Sequence, residues 1–252
     1  MPMTLETMSQ HEISWPRRSS NFGLKDGIGH VWAACLDACE SELRNFASVL
    51  SPDERARAER FRFEIHRNRF IAGRGLLRTI LGRYLEIQPN RIQFGYGKNG
   101  KPFLSERGNG LKFNLAHSEE MALVAVTASG EIGVDVERVR VLEDFEELVA
   151  RFFSRRETEE FRRLQPDEQP AAFFNLWTRK EAWLKATGEG ILHSLKNVEV
   201  SFLPGEPARF LSLPAEPGQT SVWELRELFP SPGWAGALAT NGGITRVECW
   251  RW

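Results

Sequence analysis

Cysteine is scarce: Cys35, Cys39 and Cys249 are the only three in 252 residues, too few and too irregularly spaced for a disulfide framework. No histidine pair stands near them at zinc-ligand spacing. This excludes a disulfide-stapled secreted scaffold and a zinc finger, and points to a reducing compartment, the cytoplasm. Long hydrophobic runs are missing too. No segment is apolar for long enough to span a bilayer, and Met1 to Gly29, which carries Glu6, Glu12, Arg17 and Arg18, lacks the apolar stretch of a signal peptide. No membrane partner is expected. There is no low-complexity tract and no repeat period, which excludes a solenoid. The net charge of -1 argues against nucleic acid as a partner.

What is present describes an ordinary folded protein. Hydrophobic residues make up 41% and charged residues 27%, with eight Trp and seventeen Phe, enough for a sizeable core in one large or two small domains. Val31 to Leu36 reads as a short strand. Ser51-Pro52-Asp53-Glu54 announces a helix, with Ser51 as N-cap, Pro52 at the first position and Glu54 closing a capping box. From Arg67 to Leu85 the apolar residues, Phe70 first among them, recur with helical spacing, which leaves Arg74, Arg78 and others for the opposite surface. Gly73 and Gly75 are poor helix formers there, so close packing or ligand approach is expected. Met121 to Thr127 and Glu131 to Glu137 are apolar runs joined at Ser129-Gly130 and read as a β-hairpin. In the second half Ser154 and Glu157 form another capping box. A helix opens at Pro170 and stops near Gly188, and Val198 to Phe202 and Thr245 to Trp252 read as strands.

The near-neutral total hides a cluster. Residues 55 to 83 hold nine arginines (55, 57, 60, 62, 67, 69, 74, 78 and 83) against Glu59 and Glu64, a local excess of seven positive charges. Such a segment is either a solvated helix face or a site for phosphates or an acidic partner. The turn-rich loop Gly95 to Pro102 adds Lys98 and Lys101 around Gly100, and presents backbone N–H groups together with charge.

Two further patterns bear on chemistry. In Gly133-Val134-Asp135-Val136-Glu137 the carboxylates are two residues apart in a strand and so share one face. They are either a solvated strand face or a pair of oxygen ligands for a hard cation such as Mg²⁺. In Trp177-Thr178-Arg179-Lys180-Glu181-Ala182-Trp183-Leu184-Lys185, Glu181 and Lys185 are neighbours on one helix face. They are either a surface ion pair or, because Trp177 shares that face, a pair held against aromatic surface.

In order, Phe113-Asn114-Leu115-Ala116-His117-Ser118, then Gly133-Val134-Asp135-Val136-Glu137-Arg138, then the Trp177 to Lys185 segment resemble the signature of Sfp-type 4′-phosphopantetheinyl transferases. The resemblance extends over roughly residues 50 to 195. It implies an α+β fold of two similar halves related by a pseudo-twofold axis, with coenzyme A in the cleft between them, and suggests halves at 1–130 and 131–252. It further implies transfer of the phosphopantetheine arm of coenzyme A to a serine of an acyl or peptidyl carrier protein, with release of 3′,5′-ADP. By the same resemblance Asp135, Glu137 and Glu181 hold Mg²⁺, and Glu181 and Lys185 are catalytic, Glu181 as base and Lys185 beside the diphosphate. Arg57, Arg69, Lys98, Gly100, Lys101, Asn114, His117 and Ser118 match coenzyme A contacts. Ala116 departs from the serine often found before that histidine. A monomer is expected. Of the remaining arginines, Arg62, Arg74, Arg78 and Arg83 are candidates for docking the carrier, with the Phe152-Phe153 surface as the alternative.

Overall fold

The first apolar run forms strand β1 (Ile28–Cys35), buried at six consecutive positions because both of its faces are covered. The computed structural model describes residues 15–17, 22–105, 110–188, 195–214 and 223–252, so Glu6, Glu12 and Arg18 lie outside the described residues. After β1 come helices α1 (Glu40–Ser48), α2 (Pro52–Ala58) and α3 (Glu64–Leu85). A short hairpin of β2 (Phe94–Tyr96) and β3 (Pro102–Leu104) follows, then β4 (Lys112–Ser118) and β5 (Met121–Thr127). The second half runs through β6 (Ile132–Arg138), α4 (Phe145–Phe152), α5 (Arg155–Phe161) and α6 (Gln169–Thr187). It closes with β7 (Glu199–Val200), β8 (Phe210–Ser212), β9 (Glu224–Leu228), β10 (Trp234–Thr240) and β11 (Arg246–Arg251). Among the described residues no helix is long and apolar enough to cross a membrane.

Both halves are α+β and repeat one topology. In the first, β1 pairs antiparallel with β5 and β5 with β4; in the second, β6 pairs antiparallel with β10 and β10 with β9. Each first strand is followed by a long helix, α3 or α6, before the antiparallel pair that completes the sheet. Strand β11 lies outside this equivalence: it pairs parallel with β1 and so returns the end of the chain to the first sheet.

The two sheets pack face to face. Val31, Leu123, Ala125, Val134, Val136 and Leu238 fill the space between them. On the outer face of the first sheet, Trp32 and Val124 pack with Leu76, Leu77 and Ile80 of α3. On the outer face of the second, Ala235, Ala237 and Ala239 pack with Ala182 and Ala186 of α6. The order helix, sheet, sheet, helix follows from strands buried on both faces, one face turned to the other sheet and one to the apolar side of a long helix.

Three sequence expectations change. Strands β5 and β6 do not form a hairpin: β5 lies between β1 and β4, and β6 pairs with β10. Ser129-Gly130 instead carries the chain from one sheet to the other, while the tight hairpin is β4–β5, turning at Glu119-Glu120 between the paired Ser118 and Met121. A fully buried strand has no polar face to reveal its partner. Arg74 and Arg78 are not on an outer surface. Arg78 is 2% exposed, with its Nε 2.5 Å from Glu54 Oε2, and it also donates to the Pro89 and Ile92 carbonyls. Arg74 donates to Glu54 Oε1 at 2.8 Å, and both guanidiniums lie about 5 Å from the Phe94 ring centre. Finally, Phe153 is a buried core residue and Phe152 packs edge-on against Trp177, so neither is a free docking surface. Gly75 answers to close packing, since Phe46 of α1 leaves no room for a Cβ there.

Candidate active site

Gly133 sets the position of the site. Its Cα faces the backbone of Ala182 and Ala186 so closely that any Cβ would overlap it, and α6 can therefore lie directly on β6. The side chains that follow Gly133 on the same face are Asp135 and Glu137, and those beside Ala182 and Ala186 on the helix are Glu181 and Lys185. The carboxylates of a strand and a helix are thus brought together by one glycine and by the small residues of β10.

Lys185 Nζ donates to Asp135 Oδ1 at 2.6 Å. Asp135 and Glu181 are 4% and 6% exposed, and Asp135 Oδ2 and Glu181 Oε1 are buried with no hydrogen-bond partner. Glu137 Oε2 accepts from Ser118 Oγ at 2.7 Å, which joins the end of β4 to the same cluster. Burial pushes the Asp135 carboxyl up against the opposing pull of Lys185. It also raises Glu137, against the Ser118 hydrogen bond and with the like charge of Asp135. Glu181 is pushed up to about 7 by burial and then by the negative charge of Asp135. Burial works to lower Lys185, but Asp135, Glu181 and Glu137 override it and hold the ammonium above its ordinary value.

Two orphaned buried carboxylate oxygens are costly in a folded protein. Among the described residues no three His, Cys, Asp or Glu side chains stand close enough, as placed, to enclose a metal ion. Even so, the donor set consists of carboxylate oxygens, of which Asp135 Oδ2 and Glu181 Oε1 lack partners, and it fits a hard divalent cation such as Mg²⁺.

The remaining candidates fall into three places. Asn114 is buried, and its Oδ1 accepts from the Val134 N–H at 2.9 Å, tying β4 to β6. His117 keeps part of its ring in solvent; desolvation of the rest, and then the Lys185 charge, hold the imidazole below its ordinary value. Lys98, Gly100 and Lys101 lie at the turn of the β2–β3 hairpin, which is fastened to the end of α6 by Lys101 Nζ to the Ala186 carbonyl at 2.7 Å and by Asn99 to the Gly188 carbonyl at 2.9 Å. Lys98 and Lys101 line a cleft of about 620 Å³ with Phe103, Phe113 and Gly188. On α2 and α3, Arg57 is exposed over the Phe70 ring, and Arg69 holds Asp37 with two hydrogen bonds of 2.7 and 2.9 Å. Arg69 is linked onward through Glu120 to Arg138, the neighbour of Glu137.

Sequence reasoning missed the device that fixes the long helices. Lys180 Nζ is buried and donates to Glu157 Oε2 at 2.6 Å and to the Leu195 carbonyl at 2.7 Å. Glu157 is the third residue of the α5 cap, as Glu54 is of the α2 cap, and Glu54 holds Arg78 of α3 in the same manner. The signal was present in the two Ser-x-x-Glu boxes, each preceding a long helix with a mid-helix cation.

A strand-borne Asp-x-Glu pair facing a helical Glu and Lys, at the junction of two topologically equivalent halves, defines a family that the comparisons identify. Residues 35–129 match the N-terminal region of 4′-phosphopantetheinyl transferases, and residues 131–238 match the 4′-phosphopantetheinyl transferase superfamily. The 4′-phosphopantetheinyl transferase HetI of Nostoc sp. is 42% identical, covering 97% of this chain and 100% of its own length. The 4′-phosphopantetheinyl transferase psf-1 of Bacillus pumilus is 33% identical over 62% of this chain and 65% of its own. Sfp of Bacillus subtilis is 29% identical over 64% and 70%. The chain belongs to the 4′-phosphopantetheinyl transferase family, of Sfp type, and is an enzyme of that class.

Proposed function

We propose that this enzyme moves the 4′-phosphopantetheine arm of coenzyme A onto a serine of an apo acyl or peptidyl carrier protein and releases 3′,5′-ADP. The observation that carries the reading is the convergence of Asp135, Glu137, Glu181 and Lys185, with two carboxylate oxygens buried and unpartnered. Asp135, Glu137 and Glu181 would hold Mg²⁺, which when bound supplies charge neutralisation at a diphosphate. The serine Oγ attacks the β-phosphorus of coenzyme A, the bond from that phosphorus to the bridging oxygen breaks, and 3′,5′-ADP leaves with the bonding electron pair. Glu181, which has one buried oxygen without a hydrogen-bond partner, is the carboxylate assigned to take up the serine proton. Lys185, kept cationic by three carboxylates, neutralises charge developing on the leaving diphosphate. Arg57, Arg69, Lys98, Lys101 and His117, with the Gly100 turn and the Ser118 and Asn114 segment, form the surface for the nucleotide and its phosphates.

The nucleophile belongs to the carrier, so no serine or cysteine of this chain needs activation. Three free cysteines agree with a reducing, cytoplasmic setting, and the halves 1–130 and 131–252 with one catalytic centre between them agree with action as a monomer. The test is incubation with coenzyme A, with and without an apo-carrier, read by mass. Gain of the arm by the carrier, dependent on Mg²⁺, supports the reading. Release of 3′,5′-ADP without carrier replaces it with diphosphate hydrolysis, and no reaction removes it.

A further inference from the structure

The turn between α2 and α3 exposes three large apolar side chains within five residues: Phe61, Phe63 and Ile65 are 37%, 58% and 50% exposed. Isolated exposed apolar residues are ordinary, but a cluster marks an interaction surface. Arginines interleave with it. Arg60, Arg62 and Arg67 are exposed, and Arg62 stacks on the Phe63 ring at 5.5 Å. A shallow cleft of about 690 Å³ opens beside Phe61, lined also by Arg57 and Arg60.

We infer that this turn is the docking surface for the carrier protein, an inference that rests on the transferase reading above. The partner it fits is a carrier protein that presents apolar side chains among carboxylates beside the modified serine. Residues 55 to 67 hold five arginines against Glu59 and Glu64, so two copies of this face repel each other and an acidic partner is drawn in. Arg74 and Arg78 are committed to Glu54, whereas Arg60, Arg62 and Arg67 beside the patch are exposed. The surface also connects to the site. Phe61 packs on Phe70 at 5.3 Å, the adjacent Arg69 pairs with Glu120, and Glu120 pairs with Arg138. By contrast Val141, 79% exposed beside Arg140, stands alone as an apolar side chain.

The experiment compares the parent enzyme with Phe63→Ser/Ile65→Gln and with Arg60→Glu/Arg62→Glu. Serine is a good helix N-cap at position 63, and all four positions are exposed, so both variants are expected to melt as the parent does. Binding of labelled apo-acyl and apo-peptidyl carrier proteins is followed by anisotropy without coenzyme A, which reads docking alone. Mass gain with coenzyme A reads transfer. Each variant is expected to bind its carrier at least tenfold more weakly, with the KM for coenzyme A within twofold of the parent, and the charge variant is expected to lose most of the salt dependence. Carrier affinity within twofold of the parent in both variants overturns the proposal, as does a parent that binds no carrier. It is equally overturned if the variants lose only self-association, or only binding to a single-stranded RNA probe. A parent that binds the carrier through this turn but never modifies it leaves the docking surface standing and removes the transferase reading.

Discussion

Lys185 Nζ sits 2.6 Å from one oxygen of Asp135, while the other oxygen of that carboxylate is buried without a partner. The lysine therefore neutralises Asp135 from one side only, and the negative charge of Asp135 still bears on Glu181. A carboxylate so placed is stable when a cation completes its shell.

Asp135→Asn and Glu181→Gln are each expected to lower carrier modification by about 100-fold or more, a loss typical of removing one preorganised electrostatic group. Glu137→Gln is expected to be milder, because Ser118 already satisfies one of its oxygens. A readout independent of turnover is the melting temperature. Added Mg²⁺ should raise it in the parent by mass action and fail to do so in Asp135→Asn. An equal rise in both proteins would remove Asp135 from the ligand set.

Lys185→Ala is expected to reduce kcat by at least tenfold while changing the affinity for coenzyme A less, as befits a group acting on charge that develops in the transition state. Its loss also frees Asp135 Oδ1. Equilibrium binding of coenzyme A together with single-turnover rates separates the two effects, and a change confined to binding would refute the assignment.

The buried pair Lys180–Glu157 is expected to dominate the stability of the second half. Lys180→Met leaves Glu157 charged and enclosed, at a cost of about 3–5 kcal/mol. Glu157→Gln loses less packing but weakens its bonds from the Ser154 and Val200 N–H groups. Denaturant unfolding of the single variants and of the double variant should show a coupling energy well above that of a surface pair, which is about 0–1 kcal/mol.

Glu54 supplies a pH signature. Burial works to raise its carboxyl, but the Arg78 hydrogen bond and the Arg74 charge outweigh burial and hold it below its ordinary value of 4.5. A folded-state value below the unfolded one means that the stabilisation is fully present above pH 4.5 and disappears as pH falls through the lowered value. Urea unfolding between pH 6 and pH 3 should therefore show a larger loss in the parent than in Glu54→Gln. Parallel curves would count against the clamp.

Local chemistry was legible in the sequence. The two capping boxes, the helix from the Phe70 region to Leu85, the helix ending at Gly188 and the shared face of Asp135 and Glu137 all follow from short-range rules, and all stand in the structure. The family motifs were readable for the same reason, as they lie within single elements. What the sequence by itself left undecided is pairing between distant segments. It could not show that β5 and β6 enter different sheets, because a strand buried on both faces has no alternation to betray its neighbour. Nor could it show that Arg74 and Arg78 point inward: charge sets a preference for water, and only Glu54, brought some twenty residues back along the chain by the fold, makes burial favourable. The same holds for Gly133, whose missing side chain acquires its purpose when α6 is laid upon it and Asp135 meets Lys185.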